Sequence, residues 1–259
     1  MTTEIFIQKK TEFHPSGNKV AELRNVEKNF GDQVVLKNVS LDLYEKENLV
    51  ILGKSGSGKS VLIKCMVGLL RADKGEINVL GYNVPELTAD QLNDYRLKIG
   101  FSFQGSALYD SMTIRENLEF PLKRNLKIFD QQKLNDLVVT ALQEVGLEAS
   151  INKKPAELSG GMKKRIGIAR TLILKPKIML YDEPTAGLDP VTSAEINELI
   201  LEMRNKYNTS SIIITHDISC ARTTSDRIIA LFGGVNKMEG TFTELQATKD
   251  EELIKFFNY

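Results

Sequence analysis

Eight consecutive residues constrain this fold more than any others. Gly53-Lys54-Ser55-Gly56-Ser57-Gly58-Lys59-Ser60 has the spacing G-x-x-x-x-G-K-[ST]. Directly before it, Leu49-Val50-Ile51-Leu52 has no polar face and reads as a strand covered on both sides in a parallel sheet. Directly after it, Val61-Leu62-Ile63-Lys64-Cys65-Met66 continues as a helix. The glycines let successive backbone N–H groups curve around an anion without side-chain clashes. The helix start adds free N–H groups and the positive end of its dipole. In such a loop Lys59 reaches the β- and γ-phosphates of a nucleotide, and the Ser60 hydroxyl ligates Mg²⁺. Average residue usage produces this match by accident in roughly one chain in a hundred of this length. The flanking strand and helix reduce that further.

Two more apolar runs, Ile178-Met179-Leu180-Tyr181 and Ile212-Ile213-Ile214-Thr215, repeat the character of residues 49–52. The first ends in Asp182-Glu183, and two adjacent carboxylates at the mouth of a buried strand are unfavourable unless a cation sits there. Asp182 is the natural Mg²⁺ partner, and Glu183 is placed to polarise an attacking water. The second run ends in His216, and functional side chains gather at the carboxyl ends of parallel strands. A hydrogen bond from His216 to the γ-phosphate or the attacking water follows. Further strands are expected at 21–30, 34–36 and 39–44, the last alternating Val39, Leu41 and Leu43 against Ser40, Asp42 and Tyr44. Another is expected at 228–232, ahead of a Gly233-Gly234 hairpin turn. Between 104 and 174 helical spacing dominates, as in Leu134, Leu137, Val138, Ala141, Leu142 and Val145.

Bulk composition removes several function classes. The 34 Lys and Arg cancel the 34 Asp and Glu, so no net field draws the chain onto nucleic acid or anionic lipid. Nucleic acid is therefore not an expected partner. No stretch approaches the ~20 apolar residues that cross a bilayer. The start carries an acid and no uninterrupted apolar run, so it does not read as a secretory signal. A membrane role then runs through a partner. Cys65 and Cys220 read as small buried hydrophobes, and His14, in a polar stretch with a Pro15-Ser16-Gly17-Asn18 turn, gets no role.

Leu158-Ser159-Gly160-Gly161-Met162-Lys163-Lys164-Arg165 opens a helix just before the Asp182 strand. Alone, Ser-Gly-Gly at a helix start could be only an N-cap. In this order along the chain, however, the segment closely resembles the signature of ABC ATPases, and the resemblance covers essentially residues 21–240. Phe30 matches the A-loop aromatic that stacks on adenine. Gln104, in Phe103-Gln104-Gly105-Ser106, matches the Q-loop glutamine, a catalytic-site residue and Mg²⁺ ligand. Asp189, in Gly187-Leu188-Asp189-Pro190, matches the D-loop, and His216 the switch histidine. The fold implied is a P-loop NTPase of ABC ATPase type: α/β, with a mixed-sheet core, an antiparallel N-terminal subdomain and a helical insertion at about 104–174. Residues 1–19 are then an extension, 20–245 the ATPase domain and 246–259 a tail.

The resemblance also implies a mechanism with ATP and Mg²⁺. Two copies pack head to tail as a homodimer. Each ATP sits between residues 53–61 of one copy, Val61 included, and Ser159-Gly160-Gly161-Met162 of the other. Hydrolysis removes the bridge, and the insertion, hinged at Gln104, passes the motion to a transmembrane permease. Two residues depart from the pattern. Phe30 stands for the commoner Tyr, which keeps stacking worth about 1–3 kcal/mol. Met162 stands where many relatives have Gln.

Met162 and its neighbours, with Gly-Lys-Ser-Val-Leu at 58–62 and the stretches 104–113 and 117–122, look like the ATPase of Mce-type phospholipid transporters, which include the bacterial Mla system. That subtype implies a permease, an Mce-domain substrate-binding protein, and a peripheral position on the cytoplasmic face of the inner membrane. Two alternatives stand beside it. One is an ABC ATPase for another cargo, since no residue here touches cargo. The other is a soluble non-transport ABC ATPase, against which the single unit and the lack of sustained heptads weigh. In the tail, Leu253, Phe256 and Phe257 share one helix face, which docks either on the chain's own core or on the second subunit.

Overall fold

The computed structural model describes residues 17–257, in which the runs without a polar face become the centre of a six-stranded sheet. In chain order the elements are β1 (Lys19–Phe30), β2 (Gln33–Tyr44), β3 (Asn48–Leu52), α1 (Lys59–Met66), β4 (Lys74–Val79), β5 (Tyr82–Asn83), α2 (Ala89–Leu97) and β6 (Ile99–Ser102). Then come α3 (Ile114–Leu126), α4 (Gln131–Glu144), α5 (Gly160–Leu172), β7 (Ile178–Asp182), α6 (Pro190–Tyr207) and β8 (Ser210–Thr215). The chain closes with α7 (Ile218–Thr224), β9 (Arg227–Phe232), β10 (Val235–Gly240), α8 (Phe242–Gln246) and α9 (Glu251–Phe257).

The central sheet runs β10-β9-β3-β8-β7-β6. Its strands from β9 to β6 are parallel, and β10 closes one edge antiparallel. Every residue of β3, β7, β8 and β9 is buried. Their alternate side chains enter two different cores. Val50, Leu52, Met179, Tyr181 and Ile213 join a core with α3 to α9, whereas Leu49, Ile51, Ile178, Leu180, Ile212 and Ile214 join one with β1, β2 and α1. Cover on both faces is what a parallel sheet requires. It explains why these strands carry no polar face.

A second sheet, β2-β1-β4-β5, is antiparallel. Val39, Leu41 and Leu43 point into the core, as their alternation predicts. The separate strands expected at 34–36 and 39–44 are one strand, β2. Asn38 takes a left-handed conformation (φ 60°) within it, which asparagine tolerates better than most residues, so the strand kinks without ending. At the β9–β10 hairpin, Gly233 and Gly234 both have positive φ, as a type I′ turn demands.

Helices fill the stretch between β6 and β7. Asp130 caps α4 by accepting the Lys133 N–H at 2.7 Å, and the apolar stripe of α4 is buried at Leu134, Val138, Ala141 and Leu142. Pro121 lies inside α3. It has no N–H for the carbonyl four residues back, and the Arg170 Nε of α5 donates to that Asn117 oxygen instead, at 3.2 Å.

The tail settles onto its own domain. Leu253 is buried, Phe256 meets Phe232 edge-on at 5.3 Å between centroids, and Phe257 meets Phe242 at 5.7 Å. Full burial of such side chains is worth about 1.5–3 kcal/mol each. Cys65 and Cys220 are buried, and desolvation pushes their thiols up to about 11 and about 12. Among the described residues no helix is long and apolar enough to cross a membrane. His14, Pro15 and Ser16 lie outside the described residues.

Candidate functional site

The loop between β3 and α1 is shaped by glycine geometry. Gly56 and Gly58 take φ of 79° and 101°, a region that side chains disfavour. A Cβ on Gly58 would meet Leu36 at 2.8 Å and the Val35 carbonyl at 3.0 Å, so the β1–β2 hairpin lies directly on the loop. Lys59 is 5% exposed, and its ammonium donates to the carbonyls of Gly53 (2.7 Å) and Lys54 (3.0 Å). Desolvation lowers its pKa, and Glu183, 3.5 Å away, opposes that. Among the described residues the buried Ser57 hydroxyl has no hydrogen-bond partner. An orphaned hydroxyl and a buried cation inside a glycine loop fit a phosphate chain.

The strand ends supply the rest of the cleft. Ser60 Oγ donates to Asp182 Oδ1 at 3.2 Å. Burial raises the Asp182 pKa, the Ser60 hydrogen bond lowers it, and the neighbouring Glu183 charge raises it again. No cluster of three or more His, Cys, Asp or Glu among the described residues would hold a metal unaided. Mg²⁺ is a hard cation usually held by one or two protein oxygens together with substrate phosphates and water. Ser60 and Asp182 would hold it, and when bound it neutralises charge on phosphate oxygens. Glu183 has φ 49°, and its carboxylate lies between two partners. Oε1 faces Lys59, while Oε2 accepts the His216 backbone N–H at 3.2 Å and sits 2.9 Å from His216 Nδ1. Toward an ionised carboxylate, which only accepts, Nδ1 would carry the proton of that bond.

Ser55, Gly56, Gly58, Lys59, Ser60, Val61, Gln104, Glu183 and His216 together line a cleft of about 220 Å³. Phe30 is not among its walls. It ends β1, paired with Gln33 across the turn, with its ring 47% exposed and Lys28 Nζ 5.4 Å from its centroid. The Ser159 segment stands outside the cleft too. Ser159 caps α5, its Oγ accepting the Met162 N–H at 3.3 Å. Asp189 caps α6, accepting from Val191 and Thr192 at 3.0 Å. The two caps are neighbours, because a Cβ on Gly161 would overlap the Thr192 methyl and one on Gly160 would meet Leu188 at 3.3 Å. Fully buried Asn117 was not anticipated. Its amide donates to Tyr109, Met112 and Thr113 carbonyls and accepts the Tyr109 N–H, so it shapes the loop that follows Gln104.

Fold and cleft together define a P-loop nucleotide hydrolase. The sequence model of the ABC transporter family matches residues 36–186. The probable ribonucleotide transport ATP-binding protein mkl of Mycobacterium leprae is 39% identical over 236 residues, 91% of this chain and 67% of that protein. The chloroplastic protein TRIGALACTOSYLDIACYLGLYCEROL 3 of Arabidopsis thaliana is 37% identical over 251 residues, 91% of this chain and 72% of that one. Among solved structures, a dimeric ATP-binding cassette in a post-hydrolysis state with ADP and Pi superposes with a TM-score of 0.78 at 34% identity. It covers 86% of this chain and 98% of its own. This chain belongs to the ABC transporter ATP-binding family and is an ATP-hydrolysing enzyme that works with Mg²⁺.

Proposed function

We propose that the chain closes head to tail as a homodimer on ATP and drives a membrane permease that moves phospholipid. The observation that carries the ATPase half is the convergence of Lys59, the Ser60–Asp182 pair, Glu183, Gln104 and His216 on one cleft, with Ser159 and Asp189 standing apart from it. A cleft that lacks the Ser159 helix end needs a second copy to bring one. Lys59 then binds the β- and γ-phosphates through residues 53–61, and Glu183 polarises the water that attacks the γ-phosphate. His216 hydrogen-bonds that water or the phosphate through Nε2, and Gln104 reaches the metal side of the cleft. Phe30 stacks on adenine, and Ser159, Gly160, Gly161 and Met162 meet the partner's γ-phosphate beside Asp189.

Residues 104–174 are the arm that engages the permease. A groove of about 560 Å³ runs between α2 and α3, with Arg96, Phe120, Arg124, Lys127 and Arg170 on its walls and Asp94 as its single acid. It suits an acidic, partly apolar element of a membrane partner. Phospholipid as cargo, with an Mce-domain protein as third component at the cytoplasmic face of the inner membrane, draws on the resemblance of segments 58–62, 104–113 and 158–165. A relative named for a glycerolipid supports it. The relative named for ribonucleotide transport favours a second reading, the same motor on a different cargo.

Glu183→Gln keeps the shape of the base and removes its charge, so turnover falls by on the order of 10² or more while an ATP-bound dimer accumulates in light scattering. Near-normal turnover places the base elsewhere, and a monomer under ATP refutes the closed dimer. Mass spectrometry of the natively purified complex decides the cargo. Bound phospholipid supports the first reading, and ribonucleotide in excess of the two ATP sites, with no phospholipid, supports the second.

A further inference from the structure

One buried cation has no part in the chemistry above. Lys164 of α5 is 8% exposed, and lysine is almost never buried without a partner. Its ammonium donates to two peptide oxygens, that of Gln104 at 2.7 Å and that of Glu183 at 3.0 Å. Both acceptors belong to residues whose side chains line the ATP cleft. Burial lowers the Lys164 pKa, and the Asp182 and Glu183 charges oppose that.

One acceptor sits at strained backbone and the other just ahead of it. Glu183 is left-handed at φ 49°, and two residues beyond Gln104 the chain takes consecutive left-handed steps at Ser106 (61°) and Ala107 (49°). Non-glycine residues hold such conformations only where their surroundings fix them. α5 supplies that fixing along one stripe, at residues three apart. A Cβ on Gly167 would meet Ser106 at 3.2 Å, so glycine there lets the loop lie against the helix. Arg170, one turn on, donates to the Ala107 carbonyl. Lys164 begins the stripe and is the member that also reaches Glu183.

We infer that Lys164 is a positioning residue for hydrolysis: it clamps the main chain of Gln104 and of Glu183 to α5, setting the glutamine and the base against each other across the cleft. The inference rests on the proposed roles of Glu183 and Gln104. Its physical content is that the two side chains face the reacting water only while their peptide oxygens share one ammonium.

Steady-state hydrolysis by the full chain tests it, with Lys164→Met, which keeps length and removes the donors, and Lys164→Arg, which keeps charge and donors. Lys164→Met lowers kcat about tenfold or more, as misplacement of a reacting group does, while KM for ATP stays within about twofold because no ground-state contact to the nucleotide is lost. Lys164→Arg recovers most of kcat. A role in folding alone would lower the melting temperature and leave kcat per folded molecule unchanged. That result overturns the inference, as does a raised KM at constant kcat. Should Lys164→Met fail to fold, Lys164→Gln, with two amide donors, is read in the same way. Glu183→Gln in parallel separates the two levels. If it turns over normally, the base assignment fails; if it is inactive while Lys164→Met is not, the clamp alone fails.

Discussion

Two helix N-termini meet phosphate in the proposed ATP-bound dimer, and they are built differently. α1 starts after Gly58, which has no side chain to cap it, and its first residue is the buried Lys59. α5 starts after Ser159, whose hydroxyl already accepts the Met162 N–H. The first end has no side-chain cap and, in the proposed mechanism, takes an anion from its own cleft. The second already has one of its N–H groups capped within the chain itself. On the proposed function, ATP binding by one subunit depends on the α1 end and ATP-dependent pairing on the α5 end.

The largest break in that comparison comes from Lys59→Ala. Losing the one buried ammonium at the α1 end lowers turnover by on the order of 10² or more, the usual cost of removing a preorganised electrostatic contact. Nucleotide binding to the monomer, read by calorimetry, weakens with it. If Lys59→Ala binds and turns over ATP normally, the α1 end is not the phosphate site.

A pH titration sharpens the same point. Burial holds Lys59 below its ordinary value of 10.5, so it sheds its proton earlier than a free lysine as pH rises. Bound phosphate favours the charged form, hence ATP binding takes up a proton in that alkaline window and affinity falls as pH rises. Folding shows the opposite sign. The unfolded chain holds the Lys59 proton more tightly, so this residue's contribution to stability grows as pH rises through the window. Affinity that does not change with alkaline pH, or that changes equally in Lys59→Ala, removes the coupling.

Ser159 variants probe the other end. Ser159→Ala removes the cap and costs about 1 kcal/mol of stability, whereas Ser159→Gly costs only a few tenths. Monomer ATP binding is unchanged in both, and the ATP-dependent dimer is weaker in both because each lacks the hydroxyl. A dimer weakened only in Ser159→Ala would mean that the hydroxyl acts as a cap alone. The smallest effect on pairing is that of Met162→Gln, at a half-buried side chain packed against the larger core, where loss of apolar contact costs about 0.5 kcal/mol of stability or more. It tightens the ATP-bound dimer slightly, in light scattering, if a side-chain amide contributes there.

What could be read in the sequence followed the strength of the local signal. Residues 49–52, 178–181 and 212–215 lack a polar face, and each became a strand with all residues buried. The 53–60 loop carries its chemistry in its own spacing. α2 gave no such signal, since its polar sequence buries only Tyr95, and the short β4, β5 and β6 were likewise not anticipated. Among site residues, Lys164 was illegible for a different reason. Lys163-Lys164-Arg165 is a uniform basic run, and only tertiary packing turns the middle member inward onto two peptide oxygens. The tail face at Leu253, Phe256 and Phe257 was readable, but its choice of surface was set by Phe232 and Phe242.

The two cysteines divide between the cores on either side of the central sheet. Cys65 lies with α1 in one, and Cys220 with α7 in the other. Each thiol is buried and held mostly protonated at neutral pH, and the thiolate is the form that alkylates. Neither should react until its own layer comes apart. Each cysteine is thus an intrinsic clock for the opening of one side of the sheet. Equal alkylation rates mean that the layers separate together, and unequal rates show which gives way first, with no label or substitution introduced.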